Sequence, residues 1–66
     1  MEILLNGEKR SIEPGLTVAQ LIKELEIASG SIAVEHNEKV VPRRDLEHVA
    51  LNAGDKVEIV RFVGGG

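Results

Sequence analysis

Residues 16–25, LTVAQLIKEL, contain the strongest structural signal in the sequence. Thr17 is a good helix N-cap, and Gln20 three residues later can bond back to the Thr17 backbone, which would complete a capping box. The apolar side chains that follow recur at i, i+3, i+4 and i+7, the spacing of one helix face: Val18, Leu21, Ile22 and Leu25. We predict an amphipathic helix that begins at Val18 and ends near Ala28-Ser29-Gly30, where Gly30 suits a C-terminal cap.

Strand signals flank this helix on both sides. Upstream, residues 3–12 predict a hairpin, because Asn6-Gly7 is a strong two-residue turn signal between two strand-like segments. Downstream, residues 32–35 alternate in the manner of a half-buried strand. Asn37-Glu38 then predicts a turn, and residues 39–41 a short returning strand.

The last strand, residues 56–63, has two different faces. Val57 and Ile59 share one parity with Arg61, and Val60 and Phe62 share the other. A helix packed on one face of the sheet would bury the first set and leave Val60 and Phe62 exposed. The predicted core is made of these inward positions and the helix stripe: Leu21, Ile22, Leu25, Ile32, Val34, Val57 and Ile59.

One helix laid across one face of a small mixed sheet is the economical way to bury these positions. A right-handed crossover from the first hairpin would place the last strand parallel to the first, in the centre of the sheet. We therefore predict an α+β fold of the ubiquitin-like β-grasp type, a ββαββ mixed sheet with a short returning strand before the last one. Residues 1–63 would form the domain and residues 64–66 a flexible glycine tail.

Composition excludes several classes of function. A chain of 66 residues holds one small core and has little room for a deep catalytic pocket. The chain has no cysteine, so a disulfide, a metal thiolate and a catalytic thiol are all impossible. The net charge of −3 and the single aromatic residue argue against nucleic-acid binding. No apolar run is long enough to span a membrane, and we expect a cytoplasmic protein.

The remaining polar residues give no catalytic or metal site. No triad, phosphate-binding loop or ligand cluster is visible, so we expect no catalytic residue, no metal and no bound cofactor. His36 and His48 have no neighbour at metal-ligand spacing, and both are interpreted as surface histidines beside turns.

Several motifs together resemble one known family, the ThiS sulfur carriers of thiamine biosynthesis. The resemblance rests on Val40-Val41-Pro42-Arg43, Gly54-Asp55 and the ending Phe62-Val63-Gly64-Gly65-Gly66, supported by Asn6-Gly7 and Thr17-Val18. It covers essentially the whole sequence. Each motif is weak alone, but their order and the ending after Gly66 are fairly specific.

The resemblance implies a carrier that is a co-substrate and not an enzyme. A ThiF-like adenylating enzyme is expected to activate the Gly66 carboxylate with ATP. Sulfur from a cysteine desulfurase or a persulfide carrier then gives a thiocarboxylate, which a ThiG-like thiazole synthase consumes. Gly64 and Gly65 have no side chains and can thread a narrow channel in a partner enzyme. Val60, Phe62 and Val63 are the candidate docking residues, because an exposed apolar patch usually marks an interaction surface.

Four alternatives stay open at this point. In the first, the carrier chemistry serves molybdopterin or another sulfurated metabolite. In the second, the domain is a non-covalent β-grasp interaction module of the kind fused to larger enzymes. In the third, it is a modifier that joins Gly66 to lysines of other proteins. In the fourth, the glycine-rich ending is only a frayed terminus or a linker remnant.

Overall fold

The computed structural model describes residues 1–62, and within them the chain forms five strands and one α-helix. Two single turns of 3₁₀ helix, Ser29–Ser31 and Arg43–Asp45, connect them. The elements in chain order are β1 Glu2–Leu5, β2 Glu8–Ser11, α1 Val18–Glu24, β3 Ile32–His36, β4 Lys39–Val40 and β5 Lys56–Arg61. Val63 and the predicted tail, residues 64–66, lie outside the described residues.

The sheet has the order β2-β1-β5-β3-β4. β1 and β5 are parallel neighbours, with Leu4 opposite Lys56 and Leu5 opposite Val57. The other neighbouring strands are antiparallel. The predicted mixed sheet with the last strand beside the first is therefore confirmed, and the short returning strand β4 adds an edge strand to it.

The core lies between α1 and one face of the sheet. Thr17 and Gln20 form the predicted capping box, with the Thr17 amide donating to Gln20 Oε1 at 2.9 Å. The buried apolar residues come from every part of the chain: Ile3, Ile12, Leu16, Val18, Leu21, Ile22, Val34, Leu46, Leu51, Val57 and Ile59. Of the predicted core, Leu25 and Ile32 are only half-buried and pack against this cluster. No helix within residues 1–62 is long and apolar enough to cross a membrane.

The helix ends earlier than the sequence predicts. Its last residue is Glu24, and the next residue but one, Glu26, adopts the left-handed conformation with φ 57°. The Glu26 amide donates to the Lys23 carbonyl at 3.1 Å, and the Ile27 amide to the Ile22 carbonyl at 3.3 Å. These two bonds form a Schellman cap in which glutamate occupies the position that glycine usually takes. The prediction that Gly30 caps the helix is therefore wrong.

Candidate functional site

The candidate site is the carboxyl end of β5, from which the chain continues to the glycine-rich ending. Val57 and Ile59 are buried, whereas Val60 and Phe62 are 55% and 64% exposed. The Phe62 amide donates to the Ser31 carbonyl at 2.8 Å, so β5 keeps its contact with the start of β3 up to this residue. The predicted assignment of the two strand faces is confirmed for these four apolar residues, whereas Arg61, which the alternation predicts on the buried face, is exposed.

The exposed face of the sheet continues onto the neighbouring strands. The antiparallel register places Ala33 opposite Val60 on β3, and Val40 of β4 lies opposite Glu35. Val40 is 70% exposed, more than Val60 or Phe62. We call Val40, Val60 and Phe62 the apolar outer patch. Val40 cannot be identified as a member from the sequence, because a two-residue strand is too short to reveal which face each residue takes.

A pair of acidic residues adjoins the valines of this patch, with Glu35 opposite Val40 and Glu58 two residues before Val60. Glu35 and Glu58 are directly opposite each other in the β3–β5 pairing, and both are exposed. Like charges in directly opposed positions destabilise a sheet slightly. The outer face therefore combines exposed apolar side chains with a local concentration of negative charge.

The amino-terminal end of β5 is held by a buried carboxylate. Asp55 Oδ2 lies 2.7 Å from His36 Nε2 and accepts from the Asn52 amide at 2.9 Å, and Asp55 Oδ1 accepts from Asn37 Nδ2 at 3.3 Å. Burial alone would raise the pKa of Asp55. The hydrogen bonds from His36, Asn52 and Asn37 and the charge of His36 outweigh burial and hold this pKa below the ordinary value of 3.8. Because its ring contacts Asp55, the interpretation of His36 as a plain surface residue is wrong.

Two asparagine side chains bind β5 from opposite sides. Asn37 Oδ1 accepts from the Lys56 amide at 2.9 Å, at the first residue of the strand. Asn6 Oδ1 accepts from the Ile59 amide at 2.8 Å, and Asn6 Nδ2 donates to the Ile59 carbonyl at 3.4 Å. The sequence marks both asparagines as turn residues, but it carries no sign of these contacts with a strand far along the chain.

The described residues offer no built catalytic centre. Within residues 1–62, no group of three or more His, Cys, Asp or Glu side chains is placed to hold a metal ion. Gly64, Gly65 and Gly66, with Val63, lie outside the described part of the chain, so their predicted roles stay predictions. What the described residues present is an exposed, partly acidic face that leads to the last residues of the chain.

Comparison with known proteins points to one family. The model of the ThiS family matches residues 3–66. The sulfur carrier protein ThiS of Escherichia coli is 27% identical over 66 residues, and the match covers all of both chains. The crystal structure of a thiamine biosynthesis protein (ThiS) from Geobacter metallireducens superposes with a TM-score of 0.87 at 30% identity, again over all of both chains.

A second kind of relative is much longer than this chain. A thiazole synthase of Paramagnetospirillum magneticum is 46% identical to it over 66 residues. The match covers the whole of this chain but only 20% of that protein. A segment similar to this chain therefore occurs within a polypeptide that bears the name of thiazole synthase.

Proposed function

Because the chain belongs to the ThiS family, we propose that it is a sulfur carrier of thiamine biosynthesis and that the carboxylate of Gly66 carries the sulfur. The observation that carries this proposal is the alignment with the Escherichia coli sulfur carrier over the full length of both chains. The structure also supports it, because the apolar outer patch is exposed and Phe62 shortly precedes the glycine-rich ending in the sequence.

Activation of the carboxylate is assigned to a partner enzyme. A free carboxylate is a poor electrophile, and residues 1–62 contain no cluster suited to activating it. In the first step a Gly66 carboxylate oxygen forms a bond to the α-phosphorus of ATP, and pyrophosphate leaves. The product is an acyl adenylate, held in the active site of a ThiF-like adenylating enzyme.

Sulfur replaces the adenylate in the second stage. The terminal sulfur of a protein persulfide attacks the acyl carbon, AMP leaves, and an acyl disulfide forms. A thiol then attacks the donor's sulfur in this disulfide, so that the thiocarboxylate leaves with the electron pair and the donor and the attacking thiol become joined by a disulfide. A second thiol then attacks this mixed disulfide, the donor leaves as a thiol, and the two attacking thiols end as a disulfide. A cysteine desulfurase or a persulfide carrier would supply the persulfide.

We assign the sulfur acceptor to a thiazole synthase. The support is the relative of that name, of which one fifth resembles the whole of this chain. Domains that act in succession are often joined in one polypeptide, and joining raises their effective concentration. A ThiG-like synthase would bind the loaded carrier and take up its sulfur.

Docking is assigned to the outer face of the sheet. Val60 and Phe62 are the proposed apolar contacts on this face, and Val40 extends the same patch. Val63, outside the described residues, is proposed as a further apolar contact. The pair Glu35 and Glu58 favours a partner surface that places a cation between the two carboxylates, because such a contact would relieve their repulsion.

Intact-mass analysis tests the carrier function. The full chain is incubated with its cognate adenylating enzyme, ATP, a persulfide donor and a thiol. We expect a mass gain equal to the exchange of one oxygen for sulfur, and fragmentation should locate it at Gly66. A chain lacking Gly65 and Gly66, and a reaction without ATP, are the controls and should show no gain. An unchanged mass of the full chain, or a gain on an internal side chain, would contradict the proposal.

A further inference from the structure

β5 extends well beyond the strand that supports it on one side. The parallel pairing with β1 covers Lys56 and Val57. The backbone N–H of Asn6 adds one more hydrogen bond, to the Val57 carbonyl at 2.9 Å. The chain then reverses at Asn6-Gly7, where both residues have positive φ, 50° and 84°. β5 continues to Arg61 without a backbone neighbour from β1.

The Asn6 side chain takes the place of the missing neighbour. Its amide oxygen accepts from the Ile59 N–H at 2.8 Å, and its amide nitrogen donates to the Ile59 carbonyl at 3.4 Å. With the bond from its own backbone to Val57, this one residue holds β5 at three points. Asparagine tolerates the left-handed conformation that directs the side chain to this place.

The held residue connects the end of β5 to the core. The Ile59 side chain is buried, and Ile59 precedes the exposed Val60 and Phe62. Residues 60–62 span about 10 Å when extended. A change of about 5° in the direction of β5 at Ile59 would therefore move Phe62, from which the chain continues to Gly66, by about 1 Å. Displacement of a reacting group by about 1 Å can slow a reaction by about a hundredfold.

We propose that Asn6 is a positioning residue for the carrier reaction: by holding Ile59 it sets the direction in which β5 delivers the last residues of the chain to a partner active site. This inference rests on the proposed carrier function. It differs from docking, because Asn6 lies at the hairpin turn and acts through Ile59.

The chain contains a matched control for this residue. Asn37 also occupies the first position of a turn with positive φ, 51° followed by 71° at Glu38. Its side chain likewise bonds to β5, but at Lys56, the end of the strand far from the glycine-rich ending. Replacement of either asparagine by glycine keeps a residue that favours this backbone conformation and removes one clamp.

The experiment compares Asn6→Gly and Asn37→Gly as substrates of the cognate adenylating enzyme. Exchange of labelled pyrophosphate into ATP gives kcat and KM for adenylation of the carrier, and thermal unfolding gives the stability of each variant. For Asn6→Gly we expect kcat to fall about tenfold or more with KM within about twofold of the parent, since docking is kept and delivery is lost. For Asn37→Gly we expect a similar loss of stability and a kcat close to that of the parent.

A conservative variant supplies the rescue. Asn6→Asp keeps an acceptor for the Ile59 N–H and loses the longer bond to the Ile59 carbonyl, so its kcat should stay within about threefold of the parent. Hydrogen exchange of the Ile59 amide should be faster than in the parent for Asn6→Gly and near the parental rate for Asn6→Asp.

The outcomes separate the inference from the function on which it rests. A parent chain that is not adenylated removes the proposed function and the inference with it. A parent that is adenylated, with an equal kcat for Asn6→Gly, overturns only the role of Asn6. Equal losses of kcat in the Asn6→Gly and Asn37→Gly variants would also overturn it, because they would trace the effect to stability. Should Asn6→Gly fail to fold, a kcat of Asn6→Asp reduced tenfold or more would overturn the inference, and a kcat near that of the parent would support it.

Discussion

The two ends of β5 differ in almost every physical respect. At the start, Asp55 is buried and receives hydrogen bonds from two side chains and one amide, and Asn37 binds the Lys56 amide. At the other end, Arg61 and Phe62 are exposed, and β1 no longer accompanies the strand. One strand therefore begins among side chains that hold it on several sides and ends with exposed side chains, where β3 is its remaining neighbour.

This difference shows how a small domain can separate the residues that stabilise its fold from the residues that it exposes to a partner. The residues that hold the fold lie in the middle and at the start of β5, so its end can expose apolar side chains without loss of the core. These 66 residues form one small core. Division of one strand into an anchored half and a presented half achieves this separation.

Truncation of a core side chain beneath the sheet is expected to have the largest effect on stability. Leu21 is fully buried on α1, so Leu21→Ala should lower the free energy of unfolding by ~2–5 kcal/mol and release both ends of β5 together. Leu25→Ala is the matched control on the same helix: Leu25 is half-buried, so its loss should be clearly smaller. Denaturant unfolding measures both. Equal losses would show that Leu25 belongs to the core after all.

The contrast between Leu21 and Leu25 also shows what the sequence can predict. The capping box and the apolar spacing locate the start of α1 and its buried face correctly, because both signals are local. The end of α1 depends on Glu26 in a left-handed conformation, which is unusual for glutamate. Gly30 gives the stronger local signal for a cap, but the cap at Glu26 places the next residue, Ile27, against the core cluster.

The candidate site divides in the same way. Alternation along β5 predicts which side chains are exposed, so Val60 and Phe62 are identified from the sequence alone. The residues that hold β5 are not, because their partners are far away in the chain: Asn6 binds Ile59, and Asp55 binds His36. No local sequence pattern indicates that the side chain of a turn residue will bond to a strand far along the chain.

Weakening of the anchored end of β5 is expected to have a medium effect. Asp55→Asn puts an amide nitrogen where one of the accepting oxygens lies, so it should cost ~1–3 kcal/mol at neutral pH. Because the pKa of Asp55 in the folded protein is below 3.8, the unfolded value, ionised Asp55 stabilises the fold above pH 3.8, and this contribution is lost as the pH falls through the folded pKa. The difference in stability between parent and variant should shrink in the same range.

Urea unfolding of the two proteins from pH 7 down to pH 2.5 measures this difference. Asp45→Asn removes the same charge elsewhere and controls for the change in net charge. If the parent and Asp55→Asn differ by the same amount at every pH, the hydrogen bonds around Asp55 do not favour its ionised form. Such a result would show that Asp55 stabilises this end of β5 independently of its charge.

A change at the presented end of β5 is expected to have the smallest effect on the fold. Phe62 is 64% exposed, and surface substitutions usually change stability by no more than about 0.5 kcal/mol, so Phe62→Ser should melt close to the parent. If the outer patch docks on the adenylating enzyme, loss of this anchor should weaken binding by ~2 kcal/mol or more. Calorimetric titration measures the binding.

Ser11→Ala, an exposed change on edge strand β2, is the control and should alter neither the stability nor the binding. Unfolding of Phe62→Ser would show that Phe62 supports the core, and unchanged binding would exclude it from the docking surface.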